Sequence, residues 1–165
     1  MMNFRSHKEI DLLVIQEDSR QQVGKHDIKH EFFENHDIPL VRCKLPVGDY
    51  ALAPRVSIDT KASVDEIAAN ICGKEHTRFI NECKLARDIG CHLVILVEND
   101  VGITDLSEVH KWINPRVVYS RNCVQGPRLQ KAMMTISERY GVEFQFCTPE
   151  ESGQRIMEIL KNDNQ

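Results

Sequence analysis

The sequence lacks any long hydrophobic run. The longest apolar stretches in its 165 residues are residues 12–15 and 93–97, whereas a helix needs about 20 apolar residues to cross a bilayer. The first eleven residues are rich in charge and contain no apolar segment of the kind that forms a signal peptide. The sequence therefore predicts neither a membrane span nor secretion, and a cytoplasmic location is expected.

Glycine and proline are also scarce, with 8 and 6 residues, while 41% of the chain is hydrophobic. This composition is typical of a packed globular protein and excludes the collagen-like and disordered classes. The six cysteines include no C-x-x-C pair, which indicates reduced thiols rather than a disulfide scaffold or a structural zinc site. At this length, a single domain over residues 1–165 is expected.

The chain lacks the surplus of basic residues that is typical of proteins that coat nucleic acid. Its 21 Lys and Arg residues face 25 Asp and Glu, so that the net charge is −4. Residues 111–139, here called the basic segment, nevertheless contain six basic residues and one acid, and also Trp112 and Tyr119. This segment carries +5 and the remainder −9. Basic and aromatic side chains together can follow phosphates and stack on bases; solvated helix faces are the alternative interpretation.

Hydrophobic periodicity predicts the element order β-α-β-β-β-α-α-β-α-α-β-α. Strands interleaved with helices indicate an α/β sheet that is covered on both faces. The three strands between residues 39 and 61 are interpreted as a β-meander. No glycine-rich loop follows the first strand, which disfavours nucleotide binding there. The predicted strands are 12–16, 39–44, 49–52, 56–61, 92–97 and 142–146, and the predicted helices are 26–36, 63–73, 75–89, 105–112, 127–140 and 149–160.

The most informative pattern is G-D-Y, which begins at Gly48, followed by D-x-K from Asp59 to Lys61. If residues 53–55 form the loop of a hairpin, the register places Asp49 opposite Asp59. The two-residue period of a strand then places Lys61 on the same face as Asp59. The pattern therefore predicts two neighbouring carboxylates with a lysine beside them.

Two facing carboxylates repel each other unless a cation lies between them. Hard oxygen ligands at this spacing suit Mg²⁺ or Mn²⁺. A metal ion beside an ammonium group is suited to phosphodiester hydrolysis, because the metal lowers the pKa of bound water and both groups offset transition-state charge. The alternative is an exposed hairpin whose Asp59 and Lys61 form a surface pair of little energetic value.

G-D-Y, a hairpin and [DE]-x-K together resemble the nuclease domain of the XPF-type structure-specific endonucleases, a branch of the PD-(D/E)xK nucleases. These proteins open with a strand that leads into D-x-R-E, and residues 18–21 stand at that place here. Arg78 and Phe79 resemble the basic-aromatic pair of the family's second helix. The resemblance covers residues 12–99, and 126–161 fits the closing helix-strand-helix. It implies a restriction-endonuclease-like α/β fold of three layers, with a central mixed β-sheet and helices on both faces.

The resemblance also implies metal-dependent cleavage of DNA with Mg²⁺ or Mn²⁺. The metal ligands that it implies are Asp49, Asp59 and the main-chain carbonyl of Thr60, with Asp18 as a further candidate. Lys61 would assist the attacking water. Arg20 and Arg78 match positions that contact phosphate or hold the carboxylates. Glu82 lies one helical turn beyond Arg78 and could pair with it or reach the metal, of which pairing is the expectation. The basic segment offers the DNA-binding candidates Arg116, Arg121, Arg128 and Lys131, whereas Trp112 is expected in the core.

Two departures from the family pattern stand out: Thr60 replaces the arginine of E-R-K, and Gln21 replaces the glutamate of D-x-R-E. Larger relatives also carry a tandem helix-hairpin-helix module, which the 66 residues after Asn99 do not contain. A stand-alone nuclease of bacterial or phage type is therefore expected.

The function expected from these residues is an endonuclease for branched or junction DNA in repair, recombination or replication, which acts alone or as a homodimer. The first alternative is a catalytically weak DNA-binding or scaffold module of the same fold. The second is a small α/β regulator unrelated to nucleic acid, supported only by the acidic net charge.

Overall fold

The structure is a computed structural model that describes residues 14–52 and 55–163 of the chain. Its strands are Ile15–Asp18 (β1), Leu40–Cys43 (β2), Tyr50–Leu52 (β3), Val56–Lys61 (β4), His92–Glu98 (β5) and Glu143–Cys147 (β6). They form one mixed sheet in the order β2-β1-β3-β4-β5-β6. β3 is antiparallel to both of its neighbours, and all other neighbouring pairs are parallel. The first predicted strand, 12–16, lies partly outside the described residues.

Helices connect most of these strands. The α-helices are Asp27–Asn35 (α1), Val64–Cys72 (α2), His76–Asp88 (α3), Gly126–Tyr140 (α4) and Ser152–Asn162 (α5), and two 3₁₀ helices span Leu106–Lys111 and Pro115–Val118. The predicted element order is confirmed, except that the helix expected at 105–112 is a 3₁₀ helix and a second 3₁₀ helix follows it. No helix within the described ranges is long and apolar enough to span a membrane.

The predicted β-meander is wrong. β2 pairs with β1 in parallel, while β3 lies on the other side of β1 and pairs with it in the antiparallel sense. The reason is the crossover helix α1, which returns the chain to the starting edge so that β2 runs in the same direction as β1. The turn at residues 46–48 therefore carries the chain across the end of β1 instead of closing a hairpin. Only β3 and β4 form the expected hairpin.

The start of α2 follows from local sequence chemistry. The hydroxyl oxygen of Ser63 accepts a hydrogen bond from the N–H of Glu66, and the Glu66 carboxylate in turn accepts one from the N–H of Ala62. This arrangement is close to a capping box and satisfies two backbone donors that the first helical turn leaves free. α2 therefore begins directly after β4, which carries the D-x-K residues.

Two apolar layers cover the sheet, one on each face. β5 shows the division most clearly, since Leu93, Ile95 and Val97 pack in the layer of α2, α3 and α4. Val94 and Leu96 belong to the other layer, with α1 and α5. Trp112 is buried in the first layer, as expected. The fold is thus the predicted restriction-endonuclease-like α/β sandwich, and the D-x-K residues lie in its central strands.

Candidate active site

The β3–β4 hairpin has the register that the sequence predicts. Tyr50 lies opposite Ile58 and Leu52 opposite Val56, and continuing this register places Asp49 beside Asp59. The N–H of Asp49 donates to the carbonyl of Ile58 at 2.7 Å, which holds the end of the hairpin closed. The two acids therefore meet at one end of the hairpin.

Asp59 and Lys61 form an ion pair inside the protein. Lys61 Nζ lies 2.8 Å from Asp59 Oδ2, and both residues are buried. Burial, together with the nearby Asp49 and Glu82, raises the pKa of Asp59 to about 7, although Lys61 opposes the shift. Burial by itself lowers the pKa of Lys61, but Asp59 outweighs it and the pKa is raised. The lysine therefore stays positively charged near neutral pH.

Gly48 is required by the close approach of the loop before β3 to β4. It has a φ of +73°, and a Cβ at this position would lie 2.3 Å from Ser57 Oγ and 2.9 Å from the carbonyl oxygen of Ile58. Any other residue would clash and would be strained in this conformation. The glycine of G-D-Y thus permits the packing that brings Asp49 next to β4.

Asp49 is held in place by Thr60. Its Oδ2 atom accepts hydrogen bonds from the N–H of Thr60 at 2.8 Å and from Thr60 Oγ1 at 2.7 Å. Sequence reasoning assigned a role only to the Thr60 carbonyl and missed the side chain. The sequence did contain a signal for this role, since threonine stands where the family has arginine. A hydroxyl group beside a carboxylate can orient that carboxylate.

Helix α3 forms the opposite wall of the site. Glu82 Oε1 accepts a hydrogen bond from the N–H of Gly48 at 2.9 Å, which joins α3 to the G-D-Y loop. The expected pairing of Glu82 with Arg78 is wrong, because Arg78 pairs with Glu75 at 2.7 Å. Glu75 lies three residues before Arg78, where its side chain is in easy reach.

Asp18 and Arg20 lie at the rim of the site. Arg20 Nε lies 2.8 Å from Asp18 Oδ2, and the N–H of Leu45 donates to Asp18 Oδ1 at 3.1 Å. Arg20 also donates to the carbonyl of Leu45 at 2.8 Å. Asp18 is therefore already bonded on both oxygens, while more than half of the Arg20 side chain stays exposed.

Most of these residues line one cleft of about 470 Å³, whereas Thr60 and Lys61 are buried and do not line it. The structure therefore brings together predicted site residues from β1, the G-D-Y loop, β4 and α3. The side chains and backbone that line the cleft belong to Asp18, Arg20, Pro46, Gly48, Asp49, Asp59, Arg78, Asn81, Glu82 and Leu85.

The DNA-binding candidates of the basic segment do not line this cleft. Arg116 lies beside a different cavity, together with Cys72 at the end of α2 and Asn122. Arg121 is exposed in the loop before α4, and Arg128 and Lys131 are exposed on α4. Next to Arg116, Val118 and Tyr119 are also exposed. The basic segment thus forms a separate surface.

Sequence reasoning missed a buried polar cluster on the opposite face of the sheet. The Tyr50 hydroxyl donates to Glu17 Oε1 at 3.1 Å and lies 2.5 Å from His26 Nδ1. His30 Nε2 also contacts Glu17 Oε1, at 2.5 Å. Burial lowers the pKa of His26 to about 4. The signal was present: Glu17 and Tyr50 immediately adjoin Asp18 and Asp49, and adjacent strand residues point to opposite faces.

The chemistry of the cleft fits a hard divalent cation. Within residues 14–52 and 55–163, no three His, Cys, Asp or Glu side chains converge closely enough to ligate one ion directly. The metal ligands expected from the sequence do not require three such side chains, since they combine the carboxylates of Asp49 and Asp59 with a main-chain carbonyl. Asp59 Oδ2 is buried and makes no hydrogen bond of regular geometry, although Lys61 neutralises part of its charge. Oxygen donors of this kind are those that Mg²⁺ and Mn²⁺ prefer.

The mixed sheet between two helical layers, with its acidic cleft and the buried lysine that is ion-paired to Asp59, defines a restriction-endonuclease-like α/β domain. The profile of the ERCC4 domain matches residues 17–160, and the chain belongs to the ERCC4 domain family. The resemblance to XPF-type nuclease domains that the G-D-Y and D-x-K patterns carry is thereby confirmed. No curated protein sequence matches the chain significantly.

Several solved structures share this fold, and among them are two of XPF from Aeropyrum pernix. XPF from Aeropyrum pernix matches with a TM-score of 0.66 and 17% identity over 92% of this chain. XPF from Aeropyrum pernix in complex with DNA matches with a TM-score of 0.66 and 16% identity, also over 92% of this chain. The chain spans 65% of the length of each of these proteins.

Proposed function

We propose that the protein is a divalent-metal-dependent endodeoxyribonuclease that hydrolyses phosphodiester bonds. The observation that carries this proposal is the cleft lined by Asp49 and Asp59 within an ERCC4 domain, with the buried Lys61 ion-paired to Asp59. An ion pair in this position is costly as a mere structural feature, because desolvation of both charges offsets much of their attraction. A functional role explains why the chain retains it.

In the proposed site, Asp49, Asp59 and the Thr60 carbonyl hold Mg²⁺ or Mn²⁺, and Asp18 supports them from the rim. A bound cation would polarise the phosphate and lower the pKa of water. Asp49 is suited to binding a cation because Thr60 fixes its orientation through Oδ2. The carboxylate of Asp59 would supply a second negative charge to a cation held there.

Lys61 is proposed to orient the attacking water and to stabilise negative charge on the phosphate. Its Nζ atom lies 5.8 Å from the centre of the Phe79 ring, and this contact limits where the ammonium group can move. The opposing pull of Asp59 keeps the group protonated, so Lys61 acts as a fixed positive charge and hydrogen-bond donor rather than as a general base.

DNA is the proposed substrate, and branched or junction DNA the proposed preference. Arg20 and Arg78 line the cleft and are exposed enough to contact a phosphate. The basic segment, with Arg116, Arg121, Arg128 and Lys131, offers a second surface for the DNA backbone. A relative of the same fold is known in complex with DNA. Repair or recombination in a reducing cytoplasm suits such a substrate and the free cysteines, and a homodimer stays a prediction.

The test is cleavage of fork, flap and linear duplex DNA in Mg²⁺ or Mn²⁺ by the wild type, Asp59→Asn and Lys61→Met. We expect each variant to lose about 100-fold or more of the rate, because it removes a group that acts on transition-state charge. Glu150→Gln, which changes an exposed acid just before α5, serves as a charge control outside the set of cleft residues. Variants that cut as fast as the wild type would show that the assigned site is wrong. DNA binding without cleavage by the wild type would instead favour the DNA-binding module.

A further inference from the structure

Glu82 is an acid in the cleft that the proposed site does not use. It lies on α3, facing the G-D-Y loop, and its Oε1 atom accepts a hydrogen bond from the N–H of Gly48 at 2.9 Å. Gly48 directly precedes Asp49, so this bond places a third carboxylate beside the two that come from the hairpin. Asp49, Asp59 and Glu82 all line the same cleft.

The charge of Glu82 has no partner among the described residues. Arg78, one turn before it on α3, pairs with Glu75 instead, and no Lys, Arg or His in residues 14–52 and 55–163 forms a salt bridge with Glu82. An acceptor for the N–H of Gly48 does not need a charge, because an amide oxygen would serve equally well. A hydrogen-bonding role alone therefore does not account for a carboxylate here.

A second, independent observation lies in Asp59. Its Oδ2 atom is buried in a residue that is only 6% exposed, and apart from the ion pair with Lys61 Nζ at 2.8 Å it has no hydrogen-bond partner among the described residues. Asp49 and Glu82 both act on this carboxyl as negative neighbours. The single ammonium group of Lys61 thus faces three carboxylates, which leaves the cleft with an excess of negative charge that a divalent cation would balance.

We propose that Glu82 is a third carboxylate of the cation site and contacts the cation through bound water. This inference rests on the proposed function, since it assumes that Asp49 and Asp59 hold a divalent cation. The contact through water follows from the structure, because no three acidic side chains of the described chain converge on one point. Mg²⁺ in particular keeps several of its water ligands in proteins, and carboxylates around such a shell tune its binding.

The test is calorimetric titration of the full chain with Mn²⁺, comparing the wild type with Glu82→Gln and Glu82→Ala. Glu82→Gln keeps an acceptor for the N–H of Gly48 but removes the charge, whereas Glu82→Ala removes both. We expect Glu82→Gln to weaken Mn²⁺ binding about 10- to 100-fold, as is usual for partners around a metal ligand shell. Asp88→Asn, which changes an exposed acid at the far end of α3, should bind Mn²⁺ as the wild type does.

Thermal unfolding in EDTA adds a readout that a purely hydrogen-bonding role of Glu82 would leave unchanged in Glu82→Gln. Without a cation, Glu82→Gln relieves repulsion in the cleft and keeps the acceptor for Gly48, so we expect it to unfold at a higher temperature than the wild type. If Glu82→Gln binds Mn²⁺ normally and only Glu82→Ala is impaired, Glu82 merely holds Gly48 and the inference is wrong, while the nuclease proposal stands. If the wild type binds no Mn²⁺, or Asp59→Asn binds it equally well, the cation site itself is refuted, and with it both proposals.

Discussion

At the scale of single residues, Thr60 shows how a strand can orient a carboxylate through its neighbour. Its N–H and its hydroxyl both donate to one oxygen of Asp49, so the other oxygen points away from these donors. Thr60 is itself buried, and its side chain therefore has little freedom to leave this contact. The hydroxyl thus contributes to the shape of the site without belonging to the predicted catalytic set.

Thr60→Val removes the hydroxyl with almost no change in volume, whereas Thr60→Ser retains it. We expect Thr60→Val to weaken Mn²⁺ binding about ten-fold or more, because a hydrogen bond to a charged group contributes roughly 1.5–3 kcal/mol. Thr60→Ser should stay close to the wild type. Calorimetric titration measures both, and equal affinities for the wild type and Thr60→Val would show that the backbone N–H alone orients Asp49.

The sequence was sufficient to place Asp49, Asp59 and Lys61 because all three depend on one local hairpin register. It was not sufficient for Glu82, whose position depends on how α3 packs against the loop at Gly48. Helical spacing favours Arg78 as the partner of Glu82. Only the tertiary contact with the loop at Gly48 shows that Glu82 turns to the loop instead. Long-range packing of this kind leaves no trace in local periodicity.

At the scale of elements, α1 is fixed to the sheet by the polar cluster of Glu17, His26, His30 and Tyr50. His26 is neutral in this buried place, since burial lowers its pKa to about 4. The negative charges of Asp49 and Glu17 act to raise the pKa of His26, whereas the positive charges of Lys29 and Lys25 act with burial to lower it. α1 therefore packs on the sheet through a histidine that resists protonation, directly behind the G-D-Y strand.

This arrangement predicts a loss of stability in acid. In the unfolded chain His26 gains a proton near pH 6.5, but in the folded chain only near pH 4, so the unfolded state binds more protons between these values. We expect His26 to lower the free energy of unfolding as the pH falls through this window, by up to roughly 3 kcal/mol. His26→Gln should reduce this pH dependence in urea unfolding series.

His36, which is exposed and stacks on Phe32, offers a matched control for that measurement. His36→Gln should leave the pH dependence between pH 4 and 6.5 unchanged. If His26→Gln and the wild type lose stability in parallel over this range, the buried histidine does not govern the acid sensitivity of the fold.

Element types were largely predictable, whereas strand neighbours were not. Val94 and Leu96 alternate with Leu93 and Ile95 in a wholly apolar strand, which indicates burial on both faces from sequence alone. The position of β2 is different, because a turn at residues 46–48 fits a hairpin and a crossing over β1 equally well. The choice depends on α1, whose burial against the sheet forces β2 to run parallel to β1.

At the scale of the whole molecule, one acidic cluster and one basic cluster lie apart. Four acids line the cleft at the hairpin, while the basic segment lies around the second 3₁₀ helix and on α4 and does not line it. A net charge of −4 therefore does not exclude a local basic surface, because the six basic residues of the basic segment are accompanied by only one acid in that stretch. A measurement of DNA binding can decide whether the basic segment contacts DNA or is only a solvated surface.

Neutralising Arg116 and Arg121 together should reduce the salt dependence of DNA binding. The logarithm of the binding constant falls with log salt, and each lost phosphate contact makes this slope less negative by about 0.9 on duplex DNA. We therefore expect Arg116→Gln/Arg121→Gln to reduce the magnitude of the slope by roughly 1–2. Arg155→Gln/Lys161→Gln changes the charge equally on α5, which packs on the other face of the sheet, and should leave the slope unaltered. If Arg116→Gln/Arg121→Gln keeps the wild-type slope, these two arginines do not contact DNA.

The hairpin that carries Asp49 and Asp59 also has a consequence for the order of folding. These acids are ten residues apart in the chain, whereas the parallel pairs β1–β2 and β4–β5 require whole helices to be formed and docked between them. Isolated hairpins form in about 1–10 μs, and distant pairings follow more slowly. We therefore expect the repelling carboxylates to meet early, so that a divalent cation in the refolding buffer accelerates the formation of the native sheet.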